Sequence, residues 1–388
     1  MYPLVQQDRF SGRRWPAVRV TGRTGPAGIL GTMHVTLVAA ANRYTGAAAV
    51  AEHHCRALHA AGIEASFLFV GGNNLERRLS GFHWAAPVLR KERSVADLRA
   101  NMDALREAAA ASTVVVSHLP HDHFLAITAR IHRVTPLVRN FRNPGHLRRD
   151  PLHRLLDARL AAALTANSGM VPQARRLLPA ERPVASLPVP LEERFRPAGE
   201  GGAWRHELGI PADIPVVGMV GKMARGRGFE LALQTAAALG GETRVILIGH
   251  GESRPALEAL ANRLRLTERV HWLGYLEREL PGLYEAMDVV LYPAVGSDHG
   301  HRAISEAQGC GRPVVAVRAP GVGDLVEDGV TGRITDPDAD AMAAACREIL
   351  ADPATAVNMG TAAAAAAEAR RFPAVGAALA EFLETVAG

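Results

Sequence analysis

The sequence predicts an α/β protein made of two doubly wound parallel sheets. Three observations point there. A chain of 388 residues is longer than one hydrophobic core usually organises, which sets a prior of two domains. In both halves, short apolar runs bounded by Gly, Pro or Asn alternate with stretches of helical period, the pattern of βαβ units. Between the halves lies the proline-bearing stretch 188–197, where that alternation pauses.

The first half begins with residues 1–32, where Arg9, Arg13, Arg14, Arg19 and Arg23 stand among Pro and Gly without periodicity; this reads as a loosely ordered basic extension. Residues 34–41 then read as a buried strand, 42–48 as a loop, and the stretch through Ala60 as a helix. Further strands are expected at 65–70, 113–116 and 137–140, with helices at 95–111 and 123–131 between them. In the second half, strands are expected at 216–220, 244–248, 270–273, 289–292 and 313–317, each followed by a helical stretch. The stretch 374–386, after an Ala-rich helix and Arg370-Arg371, reads as a final helix. The domains are thus 33–192 and 193–372, with 373–388 returning to the first. Open α/β sheets bind ligands beyond the carboxyl ends of their strands, so two such domains would face one another across a substrate cleft.

Composition narrows the function. Apolar runs such as 215–220 and 245–248 fall far below the roughly 20 residues of a membrane span, and no signal peptide opens the chain, so a cytoplasmic protein is expected. Cys55, Cys310 and Cys346 are scattered, the pattern of buried small residues rather than of a disulfide framework or a zinc site. The net charge of +5 conceals an asymmetry: residues 1–195 carry +12, from 26 Lys and Arg against 14 Asp and Glu, and the remainder carries −7. That basic half reads either as a solvated surface or as a face for an anionic acceptor or the inner face of a membrane. Nucleic acid is a poor fit, since aromatic residues make up 5% of the chain and no binding motif accompanies the arginines.

Three segments carry candidate chemistry. The stretch 221–228, GKMARGRG, follows an expected strand and opens a helix, where backbone N–H groups and the helix dipole favour phosphate. Lys222 and Arg227 add two cations there; the alternative is an ordinary glycine-rich turn. Gly249-His250-Gly251 is a second such turn, short of a dinucleotide fingerprint. The third is 296–307, GSDHGHRAISEA, in which Asp298 and Glu306 bracket the start of a helix. Carboxylates there would repel an anion, so sugar and ribose hydroxyls are their natural partners, while the amides of His299, Gly300 and His301 would take phosphate oxygens. Glu306 also reads as an acid that stabilises the helix dipole.

At these residues the chain resembles glycosyltransferase family 4, and the likeness runs along most of residues 33–388. Asp298 and Glu306 match the family's carboxylate pair with seven residues between. Lys222 and Arg227 match its basic pair, and 249–251 and 320–332 (PGVGDLVEDGVTG) its glycine-rich stretches. Similar stretches recur at 270–274 (VHWLG), 166–168 (ANS) and 190–197 (PLEERFRP). The resemblance implies the GT-B fold and a retaining transfer from a nucleotide-diphosphate sugar, with no metal and no cofactor beyond that co-substrate. Two departures, Asp298 for the commoner Glu and Lys then Arg for Arg then Lys, keep the charge and bear on donor identity.

By the same resemblance, His118, Lys222, Arg227 and Asp298 are the catalytic set. Gly46, Gly249, Gly251, His299, Gly300, His301, Arg302 and Glu306 are the donor-binding set. The acceptor would be a glycan, a lipid-linked sugar or a small molecule held by the first domain. A His/Asp cluster, His118, His121, Asp122, His123 and His146, also invites a metal reading, but lacks a recognised ligand spacing. The rival functions are a nucleotide-sugar epimerase or hydrolase on the same fold, and a non-catalytic glycan-binding relative.

Overall fold

The computed structural model describes residues 33–41, 44, 46–148, 150–294 and 300–387. The basic extension 1–32, Asn42, Asp298 and His299 lie outside the described residues.

Among the described residues, thirteen strands form two all-parallel sheets. The first holds β1 (His34–Ala39), β2 (Glu64–Val70), β3 (Ala85–Leu89), β4 (Val114–Ser117), β5 (Leu137–Phe141), β6 (Ala162–Thr165) and β7 (Val184–Ser186), in the order β3-β2-β1-β4-β5-β6-β7. The second holds β8 (Val216–Val220), β9 (Arg244–Ile248), β10 (Val270–Leu273), β11 (Val289–Tyr292), β12 (Val314–Val317) and β13 (Gly332–Thr335), in the order β10-β9-β8-β11-β12-β13. Strands such as VVLY and VVAV are apolar at every position because helices cover both faces of a parallel sheet. The two faces of each sheet accordingly carry separate hydrophobic clusters.

In both sheets the strand order reverses beside the first strand, between β1 and β4 and between β8 and β11. The loops that leave such a switch point diverge and open a crevice. Two Rossmann-like domains with their crevices on a common cleft constitute the GT-B architecture.

The chain crosses between domains twice, and the crossings are tied together. Leu191 N–H donates to Arg370 O at 2.8 Å, and the Arg371 guanidinium donates to Glu192 O and Phe195 O, each at 3.0 Å. The helix Phe372–Ala387 then lies against helix Gly46–Ala60 of the first domain, placing Val375, Leu379 and Leu383 in that domain's core. Small residues permit the approach: a Cβ at Gly376 would collide with Ala57 O. Arg56 and His53 pack on the Phe372 ring, with Arg56 Cζ 4.6 Å from its centroid.

Candidate active site

At the switch point of the second sheet, the segment after β8 supplies the phosphate-loop candidate. Gly226 and Gly228 adopt φ of 74° and 87°, left-handed values that cost L side chains strain, and they flank Arg227. Gly228 caps the helix Phe229–Leu239, and Arg227 and Phe229 on either side of that cap line the cleft. Phe229 is fully buried beneath the loop and anchors it.

The second glycine turn is the loop's support. A Cβ on Gly249, at φ 135°, would strike Gly221 O, and one on Gly251 would strike Met223 O. Gly221 N donates to Ile248 O at 3.0 Å and Met223 N to His250 O at 2.9 Å, so the two turns are laced together at a separation only glycine permits. Lys222 pairs with Glu252 at 3.6 Å, but both side chains are mostly in solvent, and such a pair contributes little.

Across the cleft, helix Arg302–Gly309 presents Glu306 from its second turn. That position corrects the helix-dipole alternative, because the first turn contains no acid. The Glu306 side chain is 6% exposed and held at both oxygens: Arg302 Nε donates to Oε1 at 2.8 Å and Tyr284 O–H donates to Oε2 at 3.0 Å. Burial, reinforced by the Glu306 charge, pushes the Tyr284 phenol well above its ordinary value, so Tyr284 keeps its proton and donates. Each carboxylate oxygen retains a second acceptor direction.

Lys222, Arg227, Gly249, Arg302 and Glu306 line one cleft of about 480 Å³. The first domain closes it with Tyr44 and Arg78, and the interdomain segment adds Arg194. Arg78 stacks on the Tyr44 ring at 4.4 Å and reaches Glu277 of the second domain at 3.4 Å, while Tyr44 O–H donates to Glu52 at 2.8 Å. Tyr275, largely exposed, meets His250 edge to face at the same rim. Tyr44, Arg78 and Tyr275 were not among the expected residues, and Arg194 stood only within the stretch 190–197. The one signal available was that Tyr44 follows β1 at the carboxyl edge of the sheet.

Other expected residues lie elsewhere. Gly300 and His301 line a separate cavity. The His301 ring is committed to the fold, with Nε2 3.0 Å from Pro320 O and Nδ1 3.2 Å from Tyr292 Oη. Gly46 is exposed, and a Cβ there would meet nothing within 4 Å, so no close approach in this state demands glycine. His118 follows β4 directly, its N–H donating to Val38 O at 3.1 Å, but its side chain is buried against His54, with ring nitrogens 3.5 Å apart. Burial, then the Arg142 charge, lowers His118 to about 3, so the ring is neutral at ordinary pH.

Asp122 serves the backbone. It accepts N–H bonds from Ala40 at 2.8 Å, Leu119 at 2.8 Å and His118 at 3.3 Å, tying the end of β1 to the loop that carries His118. Burial raises it to about 7 against the pull of those donors. His123 and Arg139 both meet the buried Asp157, at 3.3 and 2.7 Å. Among the described residues, no group of three His, Cys, Asp or Glu side chains is placed to hold a metal ion. The three cysteines are free and buried, and no helix among these residues is long and apolar enough to cross a membrane.

Residues 214–352 match the family model for Glycosyl transferases group 1. D-inositol 3-phosphate glycosyltransferase of Xylanimonas cellulosilytica is 35% identical over 191 residues, covering 48% of this chain and 44% of that protein. Its namesake from Mycobacterium leprae is 37% identical over 162 residues, covering 40% and 37%. The chain thus matches less than half the length of these relatives. In overall fold it is similar to Anabaena HepE in complex with UDP and glucose, with a TM-score of 0.75 at 21% identity over 91% of this chain and all of that one. Sucrose-phosphate synthase from Thermosynechococcus elongatus superposes with a TM-score of 0.73 at 20% identity, over 91% of this chain and 98% of that one.

Proposed function

We propose that this protein is a retaining, metal-independent glycosyltransferase that moves a hexosyl or related sugar from a nucleotide-diphosphate sugar to an acceptor hydroxyl. One observation carries the reading: Lys222 and Arg227, at a helix N-terminus, share a two-domain cleft with the oriented carboxylate of Glu306. The cations and the helix dipole suit a diphosphate, and Glu306 suits the ribose hydroxyls. In the reaction, the acceptor oxygen bonds to the anomeric carbon as the bond from that carbon to the diphosphate oxygen breaks. The departing phosphate takes the acceptor's proton, and Lys222 and Arg227 stabilise its growing charge. Asp298, with the amides of His299 to His301, would hold the sugar, neutral His118 would donate to it, and Gly46 would approach the phosphate when the cleft closes. The chain would work in the cytoplasm.

The acceptor would dock on the first domain. Peripheral contact with an anionic membrane belongs to this reading. The helix Pro151–Asp157 exposes Leu152 and Leu155, both more than half exposed, with Arg154 beside them and Arg148 and Arg159 flanking.

A thermal-shift screen of UDP-, GDP- and ADP-sugars tests the donor class, with UDP and UDP-glucose first because HepE has been crystallised with both. D-inositol 3-phosphate, the substrate named for the relatives, belongs in the acceptor panel. Stabilisation by none of these nucleotides overturns the proposal. Product formed from donor alone, with no acceptor present, replaces it with a hydrolase or epimerase.

A further inference from the structure

A second cavity, of about 520 Å³, lies between the domains and shares no lining residue with the donor cleft. Asn167 and Ser186 of the first domain wall it together with His301, Asp324, Glu327 and Arg370 of the second. Arg370 is the unusual member. It is 5% exposed, and among the described residues its guanidinium has one side-chain partner, Gln308 Oε1, to which Nη2 donates at 2.6 Å. Gln308 is fixed in that orientation because its own amide donates to Leu325 O at 2.8 Å. The Arg370 Nε is buried with no partner among the described residues.

Among the described residues, no carboxylate forms an ion pair with this charge, and its neighbour Arg371 is of like sign. Arg371 is itself satisfied, by Glu368 at 3.0 Å and by two carbonyls. Asp324, on the cavity wall, is engaged by Ser168, accepting from its N–H at 2.7 Å and from its hydroxyl at 2.5 Å. Glu327 stands exposed. An arginine cannot shed its proton to escape burial, so an uncompensated buried guanidinium calls for an anion.

We infer that this interdomain cavity is an anion-binding site in which Arg370 receives a small oxyanion of the phosphate type, as free phosphate or as the head of a phosphate monoester. The guanidinium fork matches such oxygens in two-point geometry. The cavity volume leaves room for the organic part of a monoester beside Asn167 and His301, and the occupant would touch both domains. The cavity shares no lining residue with the cleft of Lys222, Arg227 and Glu306, although Gly300 and His301, which the proposed reaction sets beside the donor sugar, form part of its wall.

The test measures stabilisation of the full chain by inorganic phosphate and by glycerol 3-phosphate, against chloride at constant ionic strength. A Lys222→Gln/Arg227→Gln protein removes the donor cleft's cations and is expected to keep the stabilisation. Arg370→Met is expected to weaken the apparent affinity at least about ten-fold, the effect of one charge-assisted contact. In chloride it should be no less stable than the parent, because an apolar chain of similar length relieves an uncompensated charge. Should Arg370→Met fail to fold, Gly323→Phe blocks the cavity with Arg370 intact, since a Cβ at Gly323 meets nothing within 4 Å. Tighter binding of glycerol 3-phosphate assigns a monoester, and equal binding assigns the free ion. Absence of stabilisation by either probe, or stabilisation that survives Arg370→Met or Gly323→Phe and disappears with Lys222 and Arg227, overturns the inference.

Discussion

Replacing Glu306 by Gln leaves the shape of the side chain and removes its charge. In the native site Oε2 accepts from the buried Tyr284 hydroxyl at 3.0 Å and Oε1 from Arg302 at 2.8 Å. The amide keeps one oxygen, so one of these donors loses its acceptor and the other loses a charged one. The Arg302 side chain is 43% exposed, which limits its share to a few tenths of a kcal/mol. The Tyr284 bond lies in the interior, and a hydrogen bond to a charged group there contributes about 1.5–3 kcal/mol. A stability loss of about 2 kcal/mol follows, measurable by urea unfolding. If ribose hydroxyls also donate to this carboxylate, nucleoside diphosphate affinity in calorimetry falls by about ten- to a hundred-fold, and the donor's Michaelis constant rises more than turnover falls. Tyr284→Phe separates the two effects: it removes the same interior bond but leaves the carboxylate, so stability drops similarly while affinity stays within about three-fold. A folded Glu306→Gln protein that binds nucleoside diphosphate as tightly as the parent refutes the ribose role and leaves Glu306 a structural acid.

Lys222→Gln and Arg227→Gln should each lower turnover more than donor binding, because charge on the diphosphate grows as the glycosidic bond breaks; small, equal effects on both parameters in steady-state kinetics would remove the donor-site assignment. Leu152→Ser/Leu155→Ser should reduce sedimentation with anionic liposomes at low salt and leave soluble-substrate kinetics unchanged; binding indifferent to both the substitutions and salt would return the basic face to simple solvation. Stability should also fall on mild acidification. Burial lowers His53 and His118 from 6.5 to about 3, so their contribution is complete above pH 6.5 and is lost as pH falls towards 3, about 2 kcal/mol each by pH 5. Asp122, raised to about 7, acts oppositely and returns about 2 kcal/mol over the same interval. Burial lowers His54 and His123 as well, which adds to the loss, so the net expectation is a fall in stability between pH 7 and pH 5 in urea titrations; a rise would mean that these histidines are not held neutral.

The amino-acid order by itself determined the fold class and most of the second sheet. The expected strands 216–220, 244–248, 270–273 and 289–292 coincide with β8 to β11, because continuous apolar runs bounded by Gly and Pro carry a local signal. Strands β3, β6, β7 and β13 escaped it, being three to five residues long and diluted by Ala, Gly and Pro, as in AAPVL and GRIT. The loop 221–228 was legible too, since three glycines and three cations between a strand and a helix are adjacent in the chain. What Gly249 and Gly251 do was not: their need for a missing Cβ arises from the Gly221 and Met223 carbonyls, more than twenty residues away in sequence. The same limit hid Arg78 on Tyr44 and against Glu277, and it hid the isolation of Arg370, which depends on where Gln308 and Asp324 point. Periodicity and turn chemistry act between neighbours along the chain and can be read there. Clefts, orphaned charges and forbidden Cβ positions are set by the packing of distant segments, which only the assembled sheets decide.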